Sequence, residues 1–229
     1  MNRKIKFSEG EYYHVYNRGV EKRTIFLDTD DYRRFLLLLC LFNDGKSLTV
    51  RDFRRNDNCR GSTSANQETL VDIGAYCLMP NHFHILIKEK KEGGLRDFVH
   101  KLTTGYTMYF NKKYERVGPL FQGTFKAEHA NSDEYLKYLF SYIHLNPLKI
   151  FDKDWKEDGL KDIDMAKSFL NEYEYSSYLD YHNPEKYKSE ILCKSSFPEY
   201  FVSVDDFDNN IFDWMEYKIN LQIAEVEPR

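Results

Sequence analysis

Two β-type runs joined through a Pro-Asn turn restrict the fold of this 229-residue chain more than any other feature. Leu70 to Leu78 and Phe83 to Lys88 carry the β-branched, aromatic and aliphatic residues typical of strands, and Pro80 and Asn81 lie between them. Proline cannot donate to a β-ladder and asparagine favours turns. The segment therefore predicts a pair of strands connected by a tight turn, and we expect both strands to lie in the middle of a sheet.

The segments on either side of this pair alternate between strand and helix patterns. Strand patterns occur at Glu11 to Arg18 and within 120–130, and helical spacing of apolar residues occurs at about 30–43 and at 95–115. The resulting order is strand, helix, strand, strand, helix, strand. This order predicts an α+β protein with a ferredoxin-like βαββαβ sheet.

A third helix is predicted over 134–146, directly after the last strand. Asn131 and Glu134 have the spacing of a capping box, and Pro147 would end the helix. Because the sheet is complete before this point, we expect the helix to dock as an additional element.

The remainder of the chain is acidic and rich in tyrosine, with helical patterns near 162–173 and 212–224. Residues 1–130 contain 22 Lys and Arg against 16 Asp and Glu, a net charge of +6, whereas residues 131–229 contain 11 against 21, a net charge of −10. The sequence thus predicts a domain over 1–150 followed by an acidic, helical C-terminal extension over 151–229. A basic domain permits DNA binding, although a solvated acidic face explains the extension equally well.

Composition also bears on the compartment. The longest apolar run, Phe35 to Phe42, is far shorter than the roughly 20 residues of a membrane-spanning helix. The four cysteines are dispersed and show no C-x-x-C spacing, and no apolar signal-peptide core follows the basic N-terminus. We expect a cytoplasmic protein with reduced thiols and no membrane association.

A His-Phe-His triplet is the first candidate for chemistry. His82 and His84 flank Phe83, and alternate side chains of a strand share a face, so both imidazoles can converge on one metal ion. Two structural histidines would give the same pattern.

Tyr142 and Asn146 are four residues apart in the third predicted helix and therefore lie on one face of it. One side chain can reach a reacting atom while the other reaches the same metal. The competing interpretation is an apolar helix stripe that ends in an asparagine, in a chain with 18 tyrosines. Tyr106 and Tyr109 are rival nucleophiles on the preceding helix, and His144 is expected to be structural or solvent-facing.

Three ordered segments carry a family resemblance. Residues 13–19 (YHVYNRG), 78–84 (LMPNHFH) and 142–147 (YIHLNP) together resemble the REP-associated tyrosine transposases of the single-tyrosine His-hydrophobe-His superfamily. The resemblance spans about 7–150, and residues 174–178 (EYSSY) are similar to a short motif often found downstream in these proteins.

The resemblance implies roles for the residues of these segments. It implies that His82, His84 and Asn146 bind a divalent cation, Mg²⁺ or Mn²⁺, and that Tyr142 is the nucleophile that forms a 5′-phosphotyrosine. It also places the segment 13–19 near the active site and the DNA. DNA contacts are expected from these five residues: His14, Asn17, Arg18, Gln122 and Lys126.

The relatives commonly carry tryptophan and arginine where this chain has Phe121 and Thr124, which removes one expected phosphate contact. Four arginines of the polar segment 43–67 would compensate if that segment contacts DNA: Arg51, Arg54, Arg55 and Arg60.

The leading hypothesis is an enzyme that nicks and rejoins single-stranded DNA at hairpin-forming repeats. Its main alternative is a non-cleaving regulator that binds structured DNA or RNA, and a further alternative is a phosphodiesterase that uses water. The sequence leaves monomer and homodimer open.

Overall fold

The computed structural model describes residues 6–43, 69–155, 159–160, 162–187 and 189–217. The four arginines of the polar segment 43–67 lie outside these residues.

The elements follow the order expected from the sequence. Strands and helices occupy the following ranges: β1 Tyr12–Arg18, α1 Thr29–Leu41, β2 Val71–Met79, β3 His82–Glu89, α2 Gly94–Lys113, β4 Lys126–His129, α3 Asp133–Leu145, α4 Leu148–Phe151, α5 Ile163–Glu172, α6 Tyr178–His182 and α7 Val204–Tyr217.

The strands form an antiparallel sheet in the order β2-β3-β1-β4, within the described residues. The crossovers β1-α1-β2 and β3-α2-β4 give this order, which is that of the ferredoxin-like fold. The predicted fold class is therefore confirmed. The prediction that both strands of the central pair lie in the middle was wrong for β2, which ends the four-stranded sheet because β1 inserts between β3 and β4.

One face of the sheet holds the larger apolar core. Side chains from alternate positions of β1 and β3, such as Val15 and Ile85, are fully buried there against α1 and α2. Alternation places the intervening positions on the opposite face. The histidines of β1 and β3 belong to that opposite face, so the core does not cover them.

Helix α3 packs on the histidine-bearing face, where Leu139 and Ile143 join a second apolar cluster with β2 and β3. The helix begins at a different cap from the one predicted. Ser132, not Asn131, is the N-cap, and its hydroxyl accepts a hydrogen bond from the backbone N–H of Tyr135 at 3.1 Å. Serine serves this role as well as asparagine does, so composition alone does not choose between neighbouring candidates.

The acidic extension contributes backbone to the edge of β2. The N–H of Leu78 donates to the carbonyl of Tyr175, and the N–H of Ser177 donates to the carbonyl of Tyr76. An unpaired strand edge is a template for association with other chains, and this segment covers it. The domain boundary at residue 150 stays a prediction. Residues on the far side of it, Tyr175 and Ser177, make backbone hydrogen bonds with the sheet.

Across the described ranges, none of the helices combines the length and apolar character required to cross a membrane.

Candidate active site

The site lies on the face of the sheet that α3 covers. Tyr16 pairs with His84, and Arg18 pairs with His82, in the antiparallel register of β1 and β3. Directly opposite residues share a face, so these side chains form one surface. His14 is two positions from Tyr16 and joins the same surface as the diagonal neighbour of His84.

The two histidines of the triplet are adjacent on β3. Their ring centroids are 4.9 Å apart and their planes are nearly perpendicular, at 88°. His84 is buried, whereas His82 is partly exposed at the end of the strand. Phe83 points to the opposite face and is buried in the main core, which anchors the strand between them.

The Nδ1 atoms of both histidines are held by hydrogen bonds. His82 Nδ1 lies 2.6 Å from Asn81 Oδ1, and His84 Nδ1 lies 2.8 Å from His14 Nε2. His14 is itself buried, and burial lowers its pKa to about 3, so the ring is neutral at physiological pH. The hydrogen bonds at Nδ1 make Nε2 the ring nitrogen that would act as a metal ligand.

Tyr142 faces these imidazoles from α3. Its ring centroid lies 5.5 Å from that of His84 and 5.6 Å from that of His14, with edge-to-face geometry in both cases. The tyrosine is partly exposed. A helix laid across the sheet therefore brings Tyr142 to the histidines across more than fifty residues of sequence.

Asn146 is the C-cap of α3 and is almost fully buried. Its Nδ2 donates a hydrogen bond to the backbone carbonyl of Tyr142 at 2.9 Å. This bond uses the donor end of the amide and assigns Oδ1 as the atom that would bind a cation. It also ties Asn146 to the turn that carries Tyr142.

The ligand set that the family resemblance implies, His82, His84 and Asn146, contains donor types that can bind a divalent cation while leaving coordination positions open. Within the part of the chain that the structure describes, no three His, Cys, Asp or Glu side chains come together as a metal cage. Two imidazoles and one amide oxygen would make an uncharged donor set, which would leave positions for phosphate oxygens. Imidazole ligands suit Mn²⁺ better than Mg²⁺.

A carboxylate that binds two tyrosine hydroxyls beside the site was not anticipated from the sequence. Glu128 of β4 accepts hydrogen bonds from the hydroxyls of Tyr16 at 2.8 Å and Tyr135 at 3.1 Å. Burial and the neighbouring Glu128 raise the pKa of Tyr16. The strand pattern of the segment 120–130 was the available signal, because it predicts a strand that contains Glu128. The β1–β4 register then places Glu128 opposite His14.

The residues expected to contact DNA occupy different environments. Asn17 is buried, where its Nδ2 donates to the carbonyl of Gly123 at 3.2 Å and its Oδ1 accepts from the N–H of Arg18 at 2.8 Å. Gln122 and Lys126 are exposed, and Arg18 is partly exposed. Their contacts with DNA stay predictions.

The rival tyrosines lie elsewhere. Tyr106 is buried in the main core, where its hydroxyl donates to the carbonyl of Ile25, and burial raises its pKa. Tyr109 donates to Asp31 on the same side of the sheet. Neither residue lies on the histidine-bearing face.

His144 has a structural environment, one of the two expected from the sequence. It is fully buried, and its Nε2 lies 2.7 Å from the hydroxyl of Ser177 in the extension. Burial is the main cause that lowers its pKa to about 3, and the charge of Lys194 acts in the same direction. This contact joins α3 to the segment that covers β2.

Comparison with known proteins bears on the family. Residues 60–146 match the family model described as "Transposase IS200 like". The matched segment contains His82, His84, Tyr142 and Asn146. No curated protein sequence matches the chain.

Among solved structures, the chain is similar to one described as "Structure of the REP associates tyrosine transposase bound to a REP hairpin". The two are 14% identical, with a TM-score of 0.46, over 89% of this chain and 99% of that chain. The match of residues 60–146 to the family model described as "Transposase IS200 like" agrees with the resemblance to tyrosine transposases that the sequence motifs carry.

Proposed function

We propose that this protein nicks and rejoins single-stranded DNA by a metal-dependent reaction in which Tyr142 is the nucleophile. The observation that carries the proposal is the position of the Tyr142 ring, 5.5 Å from the ring of His84 on the histidine-bearing face. A tyrosine whose ring lies against His84, one of the two triplet histidines, combines a nucleophile with a proposed metal ligand on one surface.

In the proposed reaction, the phenolic oxygen of Tyr142 forms a bond to the scissile phosphorus as the bond to the 3′ oxygen breaks. The phenolic proton passes to water, and water supplies a proton to the departing 3′ oxygen, which leaves as a hydroxyl. The product is a 5′-phosphotyrosine. A 3′-hydroxyl of an acceptor strand then displaces Tyr142, so the energy of the phosphodiester bond is retained for rejoining.

His82, His84 and Asn146 would hold the divalent cation, which supplies Lewis-acid polarisation of the phosphate when bound. The chain's own residues determine the alignment. The hydrogen bond from Asn146 to the carbonyl of Tyr142 keeps the nucleophile and the amide ligand in one helical turn. A fixed geometry of this kind lowers the entropic part of the barrier.

The proposed substrate is single-stranded DNA next to a hairpin-forming repeat. The net charge of +6 over residues 1–130 favours the phosphate backbone. Exposed Lys126 lies on β4 in register with Tyr16, so a cation flanks the aromatic surface of the site. Aromatic side chains beside a basic surface are typical of single-strand binding.

The test is to incubate the full chain with end-labelled hairpin DNA that carries single-stranded flanks, in Mn²⁺ or Mg²⁺, and to separate the products under denaturing conditions. We expect a protein–DNA adduct that disappears in Tyr142→Phe and persists in Tyr109→Phe, a matched tyrosine off the site. An adduct that survives Tyr142→Phe would contradict the nucleophile assignment.

The same experiment tests the two alternatives. A chain that binds the hairpin with no cleavage of any of a panel of flanking sequences would support the non-cleaving DNA- or RNA-binding regulator. Cleavage that leaves no covalent adduct, and that Tyr142→Phe retains, would support hydrolysis by water.

A further inference from the structure

His14 makes a direct side-chain contact with one of the two triplet histidines. Its Nε2 lies 2.8 Å from Nδ1 of His84, and the ring planes differ by only 19°. Both residues are buried, with exposed fractions of 2% and 1%. The His14 side chain is enclosed by protein and contacts His84. This position favours a role in orienting His84 over direct contact with DNA.

A hydrogen bond between two neutral imidazoles contains a single proton, so the two rings must adopt complementary tautomers. If His14 donates from Nε2, then Nδ1 of His84 is the acceptor and the proton of His84 is on Nε2. That tautomer has no lone pair at Nε2 for a metal. If His14 accepts, then His84 carries its proton on Nδ1 and its Nε2 is a ligand.

We propose that His14 is a positioning residue that accepts a hydrogen bond from Nδ1–H of His84 and thereby fixes the ring orientation and tautomer in which Nε2 binds the divalent cation. The inference rests on the proposed function, because it assumes that His84 is a metal ligand. Asn81 has the matching role for His82, since its amide oxygen lies 2.6 Å from Nδ1 of that ring.

The hydrogen bond is supported by the sheet itself. His14 of β1 lies opposite Leu86 of β3, two positions from the Tyr16–His84 pair. The antiparallel register therefore brings the His14 side chain diagonally toward His84. Tyr16 and Tyr142 flank the two rings, with centroids 5.1 Å and 5.6 Å from that of His14. The ring of His14 is therefore held by packing against two aromatic rings.

The first test measures Mn²⁺ affinity by electron paramagnetic resonance, without DNA and without turnover. His14→Met replaces the imidazole nitrogen with a thioether, which is only a weak acceptor, at nearly constant volume, and His14→Gln retains an acceptor oxygen. Loss of an outer partner of a metal ligand typically weakens affinity by about 10- to 100-fold. We expect that loss in His14→Met, a smaller loss in His14→Gln, and no change in His129→Met, a histidine of β4 that contacts Glu11.

The outcomes separate the inference from the function on which it rests. If His84→Ala binds Mn²⁺ as tightly as the unsubstituted chain does, the proposed metal site is wrong. If His84→Ala loses affinity while His14→Met retains it, the metal site stands and the role of His14 is overturned.

A second measurement needs no substitution and covers the case in which His14→Met fails to fold. Long-range ¹H–¹⁵N correlation spectra of the Mg²⁺-loaded chain report which nitrogen of each imidazole carries the proton. We expect the proton of His84 on Nδ1 and an unprotonated Nε2 on His14. A protonated Nε2 on His14 in the loaded protein would overturn the proposal.

Discussion

Gly74 and Phe197 provide a sharp test of how the extension packs against the sheet. Gly74 lies in the buried strand β2, at a register irregularity between Ile73 and Ala75. A methyl group added to Gly74 would lie 2.7 Å from Cε1 and Cζ of Phe197, closer than real carbon contacts allow. Phe197 belongs to the extension and is 7% exposed. Gly74→Ala therefore forces the ring to move.

The expected cost follows from two opposing effects. Overpacking a buried site costs about 1–3 kcal/mol. Replacing glycine by alanine within a strand returns about 0.5–1 kcal/mol of backbone entropy, because Gly74 has no positive φ to strain. We expect Gly74→Ala to lower the free energy of unfolding by about 1–2 kcal/mol, which corresponds to roughly 2–8 °C in Tm for a chain of this size.

The assay is urea denaturation followed by circular dichroism, with a double-substitution cycle. Phe197→Leu removes the ring atoms that the new methyl group would meet, so the double variant should be more stable than the sum of the single effects by about 1 kcal/mol or more. Phe201→Leu is the matched control, because that ring packs on Phe140 and is not among the atoms nearest Gly74. Additivity of Gly74→Ala and Phe197→Leu within about 0.5 kcal/mol would refute the packing described above.

Three further predictions concern Glu89, the segment of the extension that covers β2, and the amide of Asn146. Burial raises the pKa of Glu89 above the ordinary glutamate value of 4.5. Between the ordinary and the raised pKa, the folded chain binds more protons than the unfolded chain does. The free energy of unfolding therefore falls as pH rises through this interval. Glu89→Gln should gain stability relative to the unsubstituted chain between pH 4.5 and neutrality in chemical denaturation, and a pH-independent difference would contradict this. Ser177→Ala leaves the N–H of Tyr76 and Nε2 of His144 without their hydroxyl partner. We expect the free energy of unfolding in urea to fall by about 2–4 kcal/mol. A decrease below about 0.5 kcal/mol would show that these hydrogen bonds do not form. Asn146→Ala should weaken Mn²⁺ binding by about tenfold or more while Tyr142→Phe leaves it nearly unchanged, and equal effects would argue against an amide ligand.

Local patterns in the sequence determined the order of strands and helices along the chain. The Pro80-Asn81 turn defined the β2–β3 pair, and helical spacing located α1, α2 and α3 to within a few residues. Alternation also placed His82 and His84 on one face of a strand. These features depend on the intrinsic geometry of strands, helices and turns, which each segment carries by itself.

Only the tertiary structure decided which segments meet. The diagonal contact of His14 with His84 depends on the β1–β3 register, and the position of Glu128 depends on the β1–β4 register. The pairing of Tyr175 and Ser177 with β2 joins segments about one hundred residues apart. A period of two or 3.6 residues tells which side chains share a face, but it does not tell which distant segment covers that face or at what register. The proposed nucleophile and metal ligands follow from the sequence motifs, and the partner that orients His84 follows from the folded sheet.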